Sequence, residues 1–175
     1  ATVSPDVSRE QVAAAAGIDL AALMAKKDRG ECVVAMTKAA PVCVAKLAAE
    51  GRIDGIISLG GGGGTAIGTA AMRALPLGFP KLMVSTLAAG NVAPYLGTKD
   101  ITMMPSIADV AGLNRLSRVI FTRAAGAICG MVGATPEVGA AKPLVVASQF
   151  GNTTTCVTEA KKVLEAAGYE VLVFA

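Results

Sequence analysis

Residues 55–73 read Gly-Ile-Ile-Ser-Leu-Gly-Gly-Gly-Gly-Gly-Thr-Ala-Ile-Gly-Thr-Ala-Ala-Met-Arg, with five consecutive glycines from Gly60 to Gly64. The apolar run over 53–59 predicts a buried strand, and the pattern after the glycines predicts a helix to about residue 75. Glycines between a strand and a helix let backbone N–H groups surround an anion, and the helix adds its positive amino end. The segment therefore reads as a phosphate cradle for a nucleotide or another phosphorylated ligand. The prolines at 76 and 80 bracket a turn, and 81–86 is the next strand. A strand, helix and strand in that order form a right-handed crossover in a parallel sheet. The expected class is α/β, a doubly wound, mostly parallel, Rossmann-like sheet.

Upstream, Ser8 and Gln11 have capping-box spacing, and Gly17 closes the short Ala-rich helix they open. A second helix is expected over 19–27 and a third from about residue 31 to Gly51, kinked or divided by Pro41. Downstream, a long loop over 87–105 leaves the carboxyl end of a strand, the place where open α/β sheets bind ligands. A short strand fits 101–104. Helix is expected from 106 to about 131, broken at Gly112, with Asp109 as a cap and nothing local to account for Asn114. Strand 144–148, loop 149–154, a helix to 167 and strand 169–174 then make a second unit. We expect residues 1–133 to be a nucleotide-binding α/β domain lacking its leading strand, 134–142 a linker, and 143–175 the first strand-helix-strand of a second α/β lobe. Two strands and one helix bury no core of their own, so the chain reads as a fragment of a longer polypeptide.

Composition narrows the function. There is no histidine, which excludes a Ser-His-Asp triad, a histidine base and histidine metal ligands within the chain. Cys32, Cys43, Cys129 and Cys156 lack C-x-x-C spacing, so a zinc site or a disulfide framework is not expected. Cys32 and Cys43 read as small buried hydrophobes, whereas Cys156 follows three threonines at a predicted helix start, where a thiolate is stabilised. The net charge of +3 is scattered and only 3% of residues are aromatic, so no nucleic-acid partner is expected. No uninterrupted bilayer-length apolar run or signal-peptide layout is seen, and Arg115, Arg118 and Arg123 argue against a membrane helix. A cytoplasmic protein is expected. Apolar residues make up 53% of the chain, more than so small a surface should expose, which points to a homodimer or larger homo-oligomer.

The motifs leave several roles open. No Lys-Ser/Thr pair follows Gly64, so this is not a P-loop. Gly61, Gly63 and Ala66 satisfy G-x-G-x-x-A, yet the next strand ends in Ser85-Thr86 and not in the carboxylate that holds a ribose hydroxyl in NAD sites. The glycines could also serve only close helix-strand packing. Thr65 can cap the helix or donate to a phosphate. Gly151, Asn152, Thr153 and Thr154 repeat the strand-loop-helix arrangement, as cap or as ligand site. Asp100 is the loop carboxylate that could hold Mg²⁺ on a nucleotide, or a solvated acid.

Taken together, the glycine run through Thr65, Met83-Val84-Ser85-Thr86 with Gly90, Pro94-Tyr95-x-Gly97-x-x-Asp100-Ile101-Thr102, Asp109-x-x-Gly112-Leu113-Asn114-Arg115 and Phe150-Gly151-x-Thr153-Thr154-x-Cys156 resemble one family. It is the ATP-binding domain family named for the tomato protein that inhibits tobamovirus RNA replication, with mostly bacterial members. Where that family carries a serine among the glycines, this chain has Gly62. The resemblance implies a two-lobed α/β ATP-binding region, usually followed by further sequence, and a tendency to dimerise. The candidate ligand-binding residues are Gly61, Gly62, Gly63, Gly64, Thr65, Thr86, Gly90, Asp100, Gly151, Thr153 and Thr154, with Asp100 the candidate for Mg²⁺. ATP is the expected ligand and no reaction is assigned. An enzyme acting on a small phosphorylated or carboxylate metabolite, held in the same cradle, is the rival reading, and a scaffolding module with a decayed site a third.

Overall fold

The computed structural model of the chain describes residues 4–137 and 139–174. It divides into two compact units, Ala1–Ala134 and Thr135–Ala175.

Three capped helices open the first unit: α1 Arg9–Ala15, α2 Leu20–Ala25 and α3 Arg29–Ala49. Ser8 and Gln11 form the expected reciprocal capping box, and Asp19 and Asp28 accept from the backbone N–H three residues on. Pro41 does not divide α3, which runs through it as one helix of 21 residues. A proline removes one helical hydrogen bond, but α3 packs along α4 and α1, and that packing holds both sides together. Cys32 and Cys43 on this helix are half-buried rather than buried, and Cys129 and Cys156 are exposed.

The sheet follows. Strands β1 Ile56–Gly60, β2 Lys81–Ser85 and β3 Thr102–Pro105 are parallel and lie in the order β1-β2-β3. Helix α4 Gly62–Arg73 links the first two, and the short α5 Ala93–Leu96 lies in the connection to the third. Strand β2 is buried along its whole length. Leu82 and Val84 pack on Ala124 and Ile128 of α6 Arg115–Gly133, while Met83, on the opposite face, packs with Met72 of α4 and Ile101. Helices thus cover both faces of a parallel sheet, the doubly wound arrangement.

Helix α6 begins nine residues later than its apolar pattern suggests, because Ile107 and Gly112 both have positive φ and Asn114 supplies the cap. The Asn114 side chain accepts from the N–H groups of Leu116 and Ser117, and the Ser117 hydroxyl accepts from the Asn114 N–H. Asp109 only accepts from the adjacent Val110 N–H. The two capping assignments are therefore reversed. By length and composition α3 and α6 could each cross a bilayer, contrary to the expectation from apolar runs. Helix α3 packs along α4 and α6 packs on the sheet, but only Ala39 of α3 and Ser117, Ala124 and Ile128 of α6 are buried, so much of the apolar surface of both helices is exposed.

In the second unit, β4 Leu144–Ser148 and β5 Glu170–Phe174 are parallel, joined by a 3-10 turn Gly151–Thr153 and by α7 Thr154–Ala166. Val145, Ala147, Val171 and Val173 share the more buried face, and Leu144, Val146, Leu172 and Phe174 lie bare on the other.

Candidate functional site

The register Gly60↔Ser85 and Ser85↔Pro105 brings the carboxyl ends of the three strands side by side. The five glycines at this edge have different tasks. Gly60 is the last residue of β1, Gly61 alone connects strand to helix and is the N-cap, and Gly62–Gly64 form the first turn of α4. The expected loop is thus one residue long. A Cβ on Gly60 would lie 2.7 Å from the Cα of Gly64 and 3.3 Å from the Thr65 nitrogen, so the absent side chain is what lets helix meet strand. A Cβ on Gly68 would meet the Ser58 hydroxyl at 2.5 Å. Packing explains both. It does not explain Gly62, where a Cβ would meet nothing within 4 Å, nor Gly61, whose nearest neighbour would be the Thr86 hydroxyl at 3.5 Å.

The amino end of α4 has no side-chain cap. Its first N–H groups, on Gly62, Gly63 and Gly64, precede the first intrahelical bond, which Thr65 N–H makes to Gly61 O at 2.7 Å. They are donors at the positive end of a 12-residue helix, with open space at Gly62, whereas a Cβ on Gly63 would lie 3.2 Å from Val33 of α3. Arg29, on the first turn of α3, reaches the same place: its guanidinium would lie 3.9 Å from a Cβ on Gly63. Arg29 makes no ion pair among the described residues. Sequence order gave no sign of this cation, because only the packing of α3 on α4 brings it over the glycines.

Thr65 sits inside the fold rather than at the opening. It is fully buried, with its hydroxyl 2.6 Å from that of Ser85, and Ser85 Oγ also accepts from Leu87 N–H at 3.0 Å. The pair ties the first turns of α4 to the end of β2, so Thr65 positions the cradle and does not line it. Thr86 N–H donates to Gly60 O at 3.2 Å, which leaves its exposed side chain beside Gly61. Gly90 closes an exposed turn by donating to Leu87 O.

Asp100 lies elsewhere. Its carboxylate accepts from Lys81 Nζ at 2.7 Å and from Gly78 N–H at 2.7 Å, and Lys81 is the first residue of β2. Asp100 therefore stands at the amino edge of the sheet, a strand's length from the glycines, and the expected metal role at the cleft does not fit this position. Burial pushes its carboxyl up, but the hydrogen bonds from Lys81 and Gly78 outweigh this and hold it below the usual carboxylate range. Lys81 is almost wholly buried and also donates to Phe79 O, while Asp100 is partly exposed, so the pair ties the buried start of β2 to the surface. Among the described residues no group of three or more Asp, Glu, Cys or His could hold a metal.

In the second unit, the Thr153 hydroxyl bonds both the N–H and the carbonyl of Phe150, and Thr154 Oγ1 donates to Phe150 O. Both threonines are exposed, and Gly151 begins the 3-10 turn that they close. Their hydroxyls fold the turn locally.

Parallel strands, helices on both faces and an open helix end at the carboxyl edge define a Rossmann-like α/β protein. Within that class the chain belongs to the UPF0261 family: the description "Uncharacterised protein family (UPF0261) N-terminal domain" matches residues 1–137, and that of the C-terminal domain matches 142–175. It is 50% identical over 175 residues to a UPF0261 protein of Clostridium tetani, a match covering 99% of this chain and 43% of that protein. A Rhizobium meliloti UPF0261 protein is 48% identical over 173 residues, covering 99% of this chain and 42% of its own length. The ToMV susceptible protein tm-1(GCR26) of Solanum lycopersicum is 39% identical over 152 residues, covering 83% of this chain and 20% of that protein. The chain thus spans about two fifths of the length of these bacterial relatives.

Proposed function

We propose that the carboxyl edge of the first unit binds the phosphates of a nucleotide, ATP foremost. The observation that carries this reading is the uncapped amino end of α4, whose glycines at 61 and 62 leave space that no packing need explains. The N–H groups of Gly62, Gly63 and Gly64 would donate to phosphate oxygens, Arg29 would add charge from α3, and the Thr86 hydroxyl is placed for a further hydrogen bond. Mg²⁺ would enter on the phosphates, since Asp100 is at the other edge. The second reading is an enzyme for a small phosphorylated or carboxylate metabolite, favoured by the same donors, which do not distinguish one phosphate ester from another.

A thermal-shift comparison of Mg-ATP, sugar phosphates and acyl-CoAs separates the two. Ligand at about a hundred times its Kd stabilises by about 2.7 kcal/mol. The informative variant is Gly62→Asp: a carboxylate in the first turn suits the helix dipole but repels an anion. It should keep or raise the melting temperature of the free protein and abolish the shift with Mg-ATP. A full shift in that variant rules out the cradle, and a response to sugar phosphates without one to ATP favours the second reading.

A further inference from the structure

Among the described residues only Lys27 and Ile107 combine a side chain with positive φ. Lys27 is unbranched and lies in the turn between α2 and α3. Ile107, at φ 62, is β-branched, the residue type least suited to that region. The Ala108 N–H donates to Ser106 O at 2.7 Å, so Ile107 is the centre of a three-residue γ-turn of the rare, strained, positive-φ kind. The turn is held firmly. Ser106, itself buried, donates from its hydroxyl to Ala108 O at 2.6 Å and from its N–H to Ser85 O at 3.1 Å. What this clamp presents is an isoleucine side chain that is 75% exposed, more than any other large apolar side chain of the described residues. Backbone strain and a bare apolar side chain are each unfavourable in the free protein, and they coincide at the carboxyl edge of the sheet. Such outliers persist where the surroundings over-determine them and a function uses them.

We infer that Ile107 packs against the apolar end of the ligand whose phosphates the α4 glycines hold. This rests on the phosphate reading above and narrows it. Ile107 follows β3 and the cradle follows β1, two strand spacings or about 10 Å apart. Hydrogen bonds link the two places, from Thr65 through Ser85 to Ser106. A ligand that spans them has its phosphates at one end and a flat or apolar group at the other. That is the shape of a nucleotide with its base, and a small sugar phosphate does not reach.

The test uses two probes, Mg-ATP and inorganic tripolyphosphate, titrated calorimetrically into the parent, Ile107→Gly and Ile107→Asn. Glycine adopts positive φ freely, and asparagine tolerates it while replacing the apolar surface with an amide. Relief of strain should raise the melting temperature of the free Gly variant by about 2–4 °C. Both variants should bind ATP about tenfold more weakly and tripolyphosphate as the parent does. Equal effects on the two probes, or none on ATP, overturn the inference and leave the cradle standing. A change in molar mass by light scattering with ATP binding intact also overturns it, in favour of a contact between copies of the chain. If the parent binds neither probe, the phosphate reading falls and this inference with it.

Discussion

Gly60→Ala tests the claim that the five glycines are not equivalent. The new Cβ would lie 2.7 Å from Gly64 Cα, 3.1 Å from Gly64 C and 3.3 Å from Thr65 N, all of them backbone atoms. Carbon atoms rest at about 3.5–4.0 Å, so α4 would have to retreat from β1 by several tenths of an ångström or more. It has little room to do so. Thr65 is tied to Ser85 at 2.6 Å, and Gly68 lies against Ser58 and Met83 on the same helix. Overpacking of this kind costs about 1–3 kcal/mol, and loss of the buried hydroxyl bond adds about 1 kcal/mol, giving a total near 2–4 kcal/mol. Gly62→Ala, two residues on, meets nothing and should be neutral or stabilise by up to about 1 kcal/mol through the unfolded chain. Urea unfolding followed by circular dichroism reads both midpoints. The reasoning fails if Gly60→Ala unfolds within about 0.5 kcal/mol of the parent, or if the two substitutions cost the same.

Asp100→Asn should destabilise by about 2–3 kcal/mol at neutral pH, less than for a wholly enclosed ion pair because Asp100 is partly exposed, and should leave ligand-induced shifts unchanged. Because the folded-state pKa of Asp100 lies below its unfolded value, the parent has the full contribution above about pH 4 and loses it as the pH falls through the folded pKa. Melting curves at stepped pH should show the variant losing less than the parent in that acid range; parallel curves would refute the pairing. Asn114→Ala should cost about 1 kcal/mol as the loss of a helix cap, against a few tenths or less for Asp109→Ala. Equal effects on the unfolding midpoint would contradict the cap assignment.

Much of this fold is legible locally. The Ser8-Gln11 box, the strand at 81–85 and the strand pair of the second unit stand where residue pattern and capping chemistry put them, since each depends on neighbours a few positions away. The start of α6 is not legible in the residue pattern. Apolar periodicity continues back through Ile107 and Val110, and only tertiary hydrogen bonds such as Ser106 N–H to Ser85 O divert the chain there. The continuity of α3 through Pro41 likewise depends on packing against other helices. At the site, the glycines were visible as a cradle, but their division between packing and open space depends on what faces each Cβ. From sequence alone Asp100 reads as a cleft residue, because it lies in the loop after β2. That loop, however, carries the chain from the carboxyl edge back to the amino edge, and Asp100 comes at its end.

The glycine-rich start of α4 also bears on how the chain folds in time. Three glycines in the first turn, with Gly68, Thr65 and Thr69 behind them, give a segment with almost no tendency to be helical alone. The β1-β2 pairing spans that segment, and the β2-β3 pairing spans another long connection. Neither partner is close in sequence. Helix α4 and the sheet therefore depend on one another, the non-local pairing slows their formation relative to the capped helices α1–α3, and the strand β1 stays unpaired until β2 has been made.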